Sequence, residues 1–62
     1  MKAVAINSIK TVEEARSLAI DWQQWASETP LSYYQLSVWQ NYFEKLADKF
    51  NLTDEFKENG II

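Results

Sequence analysis

Two long segments of the chain carry apolar residues at the spacing of an α-helix. Between residues 11 and 27 they recur every three or four positions, which places them on one face of a helix. That face contains Val12, Ala15, Leu18, Ala19, Trp22 and Ala26, with Trp25 at its edge. Between residues 32 and 50 a second stripe contains Leu36, Trp39, Phe43, Leu46, Ala47 and Phe50, flanked by Tyr42. The pattern therefore predicts two amphipathic helices, at about 11–27 and 32–50.

Both segments begin with sequence signals that are typical of the start of a helix. Thr11 is followed three residues later by Glu14, and Ser32 by Gln35, which is the spacing of a capping box. In that motif, two side chains satisfy free backbone N–H groups at the start of a helix. Pro30 lies between the segments and cannot continue a helix without losing a hydrogen bond. The chain is expected to turn there.

The two ends of the chain carry weaker signals. Thr53 is predicted to cap a short third helix, at about 53–59, which Gly60 would end. Ile61 could then fold back on Phe56, the apolar contact that accompanies a Schellman motif. The segment Ala3 to Ile9 could be extended, could form a strand that pairs with another chain, or could pack irregularly along the helices. We expect an irregular or short extended arm.

These elements predict an all-α fold built as a small helical bundle. Helices joined by a short loop pack antiparallel, which would bury the Trp22 face against Trp39 and Phe43. The length of 62 residues allows a single domain, 1–62. Because the chain has no cysteine and no histidine, disulfides are excluded and a structural zinc site would be unusual. Stability must then come from packing.

The chain is acidic, with a formal net charge of −3. Such a charge provides no attraction to phosphate backbones or anionic membranes, so nucleic acid is an unlikely partner and no membrane association is expected. The longest apolar run, from Ala3 to Ile6, is far shorter than the roughly 20 residues of a membrane span. On these grounds we expect a cytoplasmic protein.

Candidate chemistry is sparse. Nucleophilic catalysis needs an activated side chain beside a base, and the serines at 17, 27, 32 and 37 all have helix-cap or polar-face explanations. Glu44 and Asp48 are one turn apart, but two carboxylates on an exposed helix make a poor calcium site, which needs about 6 to 8 oxygens. A single glycine excludes a phosphate-binding loop. The sequence predicts no catalytic residue, no metal and no cofactor.

The aromatic residues are the richest feature, with three each of Trp, Tyr and Phe. Most of them lie at core spacing, but several large apolar side chains fall outside the two stripes. Aromatic residues of this kind are enriched at protein interfaces. The candidate interface residues are Ile20, Trp25, Tyr33, Tyr34, Val38 and Tyr42. Part of this set is expected to cover the arm and the third helix.

The run TVEEARSLAIDWQQW and the closing EFKENGII resemble short uncharacterised helical proteins of phages and mobile elements of Gram-positive bacteria. The resemblance implies a non-enzymatic accessory role. The leading hypothesis is a protein-binding module, with an unidentified protein or a second copy as its partner. The alternative is a nucleic-acid-associated regulator, in which dimerisation would gather Lys2, Lys10 and Arg16 into a basic edge.

Overall fold

A computed structural model describes residues 4–62 and has the predicted all-α architecture. A 3-10 turn, Ile6–Ser8, precedes helix α1, Val12–Glu28, helix α2, Tyr33–Phe50, and helix α3, Thr53–Glu58. Helices α1 and α2 form a hairpin, and α3 packs against α2. The bounds of all three helices lie within one residue of those predicted from the sequence.

The two predicted capping boxes differ in the structure. At α2 the box is complete, because the Ser32 hydroxyl accepts from the Gln35 N–H and the Gln35 side chain accepts from the Ser32 N–H. At α1 the Thr11 hydroxyl accepts from the Glu14 N–H, but the Glu14 carboxylate accepts from the backbone N–H of Lys10, 3.0 Å away. The prediction of a full capping box at Thr11 is therefore wrong, because the Glu14 side chain binds the backbone of Lys10, at the end of the N-terminal arm, and not that of Thr11.

An aromatic seam joins α1 to α2. The ring of Trp22 lies 5.2 Å from that of Phe43 and 6.1 Å from that of Trp39, centroid to centroid. Trp25 meets Trp39 edge-on at 5.9 Å. The Trp22 pairs are tilted and the Trp25 pair is edge-on, and aromatic pairs that avoid a face-to-face sandwich are favourable beyond the apolar area that they bury. The indole N–H of Trp22 is buried without an acceptor among the described residues, a cost that the seam has to offset.

The buried core draws on all three helices and on the segments that flank them. Its members are Ile9, Ala15, Ala19, Trp22, Phe43, Leu46, Ala47, Leu52, Phe56 and Ile61. Of the other residues of the predicted α2 stripe, Trp39 and Phe50 are partly buried and pack against this core, but Leu36 is 42% exposed. Leu36 lies in the first turn of α2, next to the loop, and the contacts between the helices are made further along by Trp39 and Phe43.

The turn between α2 and α3 depends on Asn51, which adopts a left-handed conformation with φ 59°. Asparagine tolerates this region better than most residues. The turn brings the Leu52 N–H to the Ala47 carbonyl at 2.8 Å and buries the Leu52 side chain. Leu52, and not Thr53, is then the residue before α3, and no side chain caps the helix. The predicted Thr53 cap is wrong because burial of Leu52 fixes where α3 begins.

The C-terminus is ordered as the sequence predicted. Gly60 has φ 74°, its N–H donates to the Lys57 carbonyl, and the Ile61 N–H donates to the Phe56 carbonyl at 2.8 Å. These two bonds define a Schellman motif. Ile61 returns to the core, where only 6% of its surface is exposed.

The N-terminal arm, residues 4–10, is less irregular than predicted because it contains the 3-10 turn. Ile9 follows that turn and is buried against the hairpin. The arm therefore contributes a core side chain. Ala3, the first residue of the predicted arm, lies outside the described residues.

Candidate protein-binding surface

Four of the six candidate interface residues are exposed, but they do not form one patch. The exposed fractions are 62% for Ile20, 86% for Tyr33, 77% for Tyr34 and 51% for Val38. Ile20 lies on α1, whereas the other three lie on α2. Adjacent residues of a helix point about 100° apart, so Tyr33 and Tyr34 face different directions.

Tyr34 and Val38 begin a straight row along the outside of α2. Asn41 and Lys45 continue it, at positions i, i+4, i+7 and i+11, and all four side chains are exposed. We call these four residues the outer stripe. Its length, eleven residues at 1.5 Å each, is about 16 Å. This spacing is the one by which one helix presents a face to another.

Tyr42 and Trp25 have structural contacts of their own. The Tyr42 hydroxyl donates to the Val4 carbonyl, and its ring meets Phe43 edge-on at 5.1 Å. Partial burial raises the pKa of the Tyr42 phenol. Trp25 is half-buried in the aromatic seam against Trp39. The expectation that part of the candidate set covers the arm thus applies to Tyr42.

A surface groove of about 600 Å³ runs between the arm and α2. Val4 and Ile6 stand on the arm side, and Val38, Tyr42 and Lys45 stand on the α2 side. Three of the four residues of the outer stripe, all but Tyr34, line this groove. The stripe and the groove therefore form one continuous surface, which we call the α2 surface.

Lys49 fixes the arm beside that groove. Its ammonium donates to the carbonyls of Ile6, at 2.9 Å, and Ile9, at 3.1 Å. It also lies 5.3 Å from the centre of the Phe50 ring. Lys49 also lies in the last turn of α2, where the helix dipole favours positive charge. No pattern in the sequence indicated that it would bind the arm, because the contact joins residues about 40 positions apart.

A second groove, of about 410 Å³, lies on the other side of the arm, against α1. Glu13, Glu14 and Asp21 line it together with Leu18, and no Lys or Arg does. The groove beside α2 has the opposite character, since it contains Lys45 and no carboxylate. The two sides of the arm therefore differ in charge.

The basic residues proposed for a nucleic-acid edge are not gathered into one site. The Arg16 guanidinium donates two hydrogen bonds to the Glu55 carboxylate, at 2.8 and 2.9 Å. The hydrogen bond and the charge of Arg16 lower the pKa of Glu55, and Glu55 raises that of Arg16. Lys10 is exposed at the end of the arm, and Lys2 lies outside the described residues.

Other candidate chemistry finds little support in residues 4–62. Within that range, no group of three or more carboxylates could hold a metal ion, and this includes the neighbourhood of Glu44 and Asp48. The hydroxyls of Ser27 and Ser32 are bonded to nearby backbone groups. Nor is any helix in this range long and apolar enough to cross a membrane.

Comparison with protein-family models, curated proteins and solved structures finds no match to this chain. The resemblance to small phage and mobile-element proteins therefore stays a prediction, and the function must be argued from the surface itself.

Proposed function

We propose that this chain is a non-enzymatic, cytoplasmic protein-binding module that contacts its partner through the α2 surface. The observation that carries the proposal is the outer stripe, in which Tyr34 is 77% and Val38 51% exposed on a helix whose opposite face packs on the core from Trp39 onward. Exposed aromatic and aliphatic residues in a continuous row are typical of protein interfaces. An accessory role of this kind is also what the resemblance to phage proteins implies.

Tyr34 is the anchor of the proposed contact. Tyrosine offers a large rigid contact area and a hydroxyl, and it is among the residues that most often dominate binding energies. Val38 stands one turn further, at the mouth of the groove. A partner that buried both side chains would remove apolar area from water without disturbing the core, because neither side chain belongs to it.

Site-specific photo-crosslinking tests this contact. A photoreactive phenylalanine analogue placed at position 34 should give a discrete crosslinked product in host lysate. The same analogue at position 33 is the matched control, because Tyr33 is also highly exposed, at 86% against 77% for Tyr34, but points about 100° away from the stripe. The purified partner should then bind the Tyr33→Ala variant normally and lose binding to a folded Tyr34→Ala, Val38→Ala variant. Equal products from both positions, or full binding by the double variant, would contradict the proposal.

A second copy of this chain is one possible partner. Light scattering after size exclusion, across a concentration series, measures this directly. A dimer that the Tyr34→Ala, Val38→Ala variant abolishes would make the chain its own partner. A dimer that survives in that variant would assign self-association to another surface and leave the α2 surface free.

The alternative function, a nucleic-acid-associated regulator, has less support. Of the three basic residues that it needs, Arg16 is paired with Glu55. Binding through phosphates would weaken steeply as salt rises, whereas apolar protein contacts would barely respond. A salt titration of any complex therefore separates the two functions.

A further inference from the structure

The charges around the arm indicate which kind of partner the α2 surface accepts. We infer that it binds an acidic amphipathic helix, one that places aliphatic side chains along Tyr34 and Val38 and a carboxylate opposite Lys45. This inference rests on the proposed function, because it assumes that the α2 surface is the contact.

The shape of the surface favours a helix. The outer stripe is straight, is about 16 Å long and has the i, i+4, i+7, i+11 spacing that packs against a second helix. The groove beside it lies on the surface between the arm and α2, where Val4 and Val38 are each about half exposed. Small-molecule sites instead bury most of the ligand. The groove is suited to one or two side chains that project from a partner helix.

Charge decides between an acidic and a basic partner. Lys45 forms no ion pair within residues 4–62, and no carboxylate lines its groove. The neighbouring Lys49 adds a second positive charge, since its partners are the neutral carbonyls of Ile6 and Ile9. The nearest carboxylates along α2, Glu44 and Asp48, line a different groove, so the groove beside the arm has a local excess of positive charge in a chain of net charge −3. A basic helix would be repelled here and attracted to Glu13, Glu14 and Asp21 on the α1 side.

Two synthetic probes test the inference on the full chain. Both are helical peptides of the same length with leucine at the same positions, and they differ only in carrying glutamate or lysine beside the leucine face. Amide chemical shifts of the labelled protein, at about 0.15 M salt, report both affinity and location. At that salt concentration the Debye length is about 8 Å. The net charge of the protein then contributes little to the affinity for either peptide, and contacts within the binding surface dominate.

The glutamate peptide should shift the amides of Val38, Asn41 and Lys45 and bind there at least about threefold more tightly than the lysine peptide, as expected for exposed ion pairs. The Lys45→Glu variant should reverse that order. Lys57→Glu is the matched control, because it changes the net charge equally but lies near Glu44 and Asp48, away from the outer stripe. In that variant the order should be unchanged.

The failures of the two proposals are distinguishable. Equal affinity of both peptides at Val38, or an order that Lys45→Glu does not reverse, would overturn the acidic partner and leave the α2 surface as the contact. Shifts confined to residues outside α2, or no shifts with either peptide, would overturn the proposed contact surface as well.

Discussion

The two ends of the chain both pack on the α1–α2 hairpin, but by different interactions. The C-terminal end inserts Leu52, Phe56 and Ile61 into the core. In the described arm only Ile9 is fully buried and Ile6 is partly buried, and the arm is otherwise held by side chains that bind its backbone, mostly from α2 and at its end from Glu14 of α1. Apolar burial depends on the size and shape of each side chain, whereas a carbonyl is present at every position. The C-terminal end should therefore be sensitive to its own sequence, and the arm to the residues of α2.

Ion pairing and side-chain bonds reinforce the C-terminal end further. Arg16 on α1 binds Glu55 on α3, and the Gln23 amide donates to the Asn59 carbonyl at 2.6 Å. Both contacts connect α1 to the C-terminal segment, while α2 contacts α3 through the core. The short helix α3 is thus fixed from both sides. A six-residue helix would not be stable without such contacts.

Phe56→Ala tests the C-terminal end most severely. Phe56 is only 1% exposed and its ring meets that of Phe43 at 6.2 Å. Removing a buried phenylalanine ring lowers the free energy of unfolding by about 3–5 kcal/mol. A domain of this size has only about 3–9 kcal/mol in total, so the variant should be largely unfolded or close to it. Urea unfolding followed by circular dichroism measures the change.

The control for Phe56→Ala is an exposed apolar residue. Ile20→Ala should change the free energy of unfolding by no more than about 0.5 kcal/mol, because Ile20 is already 62% exposed. If Phe56→Ala and Ile20→Ala unfolded at similar urea concentrations, the assignment of the C-terminal end to the core would be contradicted.

Lys49→Met tests the arm. The substitution keeps most of the apolar stem but removes the donor to the Ile6 and Ile9 carbonyls. The loss should be about 1 kcal/mol, smaller than for a core residue because the site is partly open to water. Hydrogen exchange should show where it acts: the amides of Ser8 and Ile9 should exchange faster, and those in the middle of α1 should change less.

Lys45→Met is the matched control for this prediction. Lys45 lies one turn before Lys49 on the same helix and lines the same groove, but it donates no hydrogen bond to a backbone carbonyl of the described arm. The Ser8 and Ile9 amides of this variant should therefore exchange at the same rate as in the unsubstituted chain. Equal acceleration in both variants would mean that Lys49 does not hold the arm through its ammonium.

The helices could be predicted from the sequence because their signals are local. Spacing, the Ser32–Gln35 box and Gly60 each act within a few residues, and each is confirmed. The Thr11 box fails locally, because Glu14 binds the Lys10 N–H. The Thr53 cap fails because of tertiary packing, since burial of Leu52 displaces it. The Lys49 contacts and the Arg16–Glu55 pair connect residues about 40 positions apart, and nothing local marks them.

The candidate surface was predictable only in part, for the same reason. The helical spacing of the sequence shows which residues lie outside the core-facing stripes, and Tyr34 and Val38 are exposed as that spacing predicts. The spacing does not show which of the other candidate residues are covered by the rest of the fold. Tyr42 is partly covered by the arm and Trp25 by Trp39, because of tertiary packing that a single helix does not reveal.

Gly60→Ala tests the end of the chain with a smaller effect. A methyl group at position 60 would meet no atom within 4 Å, so the cost comes from the backbone alone. With φ at 74°, an L-residue costs about 1 kcal/mol. A chain synthesised with D-alanine at position 60 should keep its stability, because that enantiomer favours positive φ. Equal loss in both chains would show that the side chain, and not the backbone conformation, is responsible.

The ion pair between Arg16 and Glu55 should have the smallest effect, and pH reveals it. Hydrogen bonding to Arg16 lowers the pKa of Glu55 in the folded state below its ordinary value of about 4.3. As pH falls, Glu55 is protonated in the unfolded chain before it is protonated in the folded one. The contribution of the ion pair to the free energy of unfolding is therefore complete above about pH 4.3 and is lost as pH falls through the lower, folded-state pKa. Glu55→Gln should unfold slightly more easily than the original chain at pH 7, and the difference should vanish near pH 2. Glu44→Gln, which removes a carboxylate that forms no ion pair within residues 4–62, should show no such convergence. If both variants gave parallel curves, Arg16 would not stabilise α3 through the charge of Glu55, and the C-terminal end would depend on apolar burial and neutral hydrogen bonds such as that from Gln23 to Asn59.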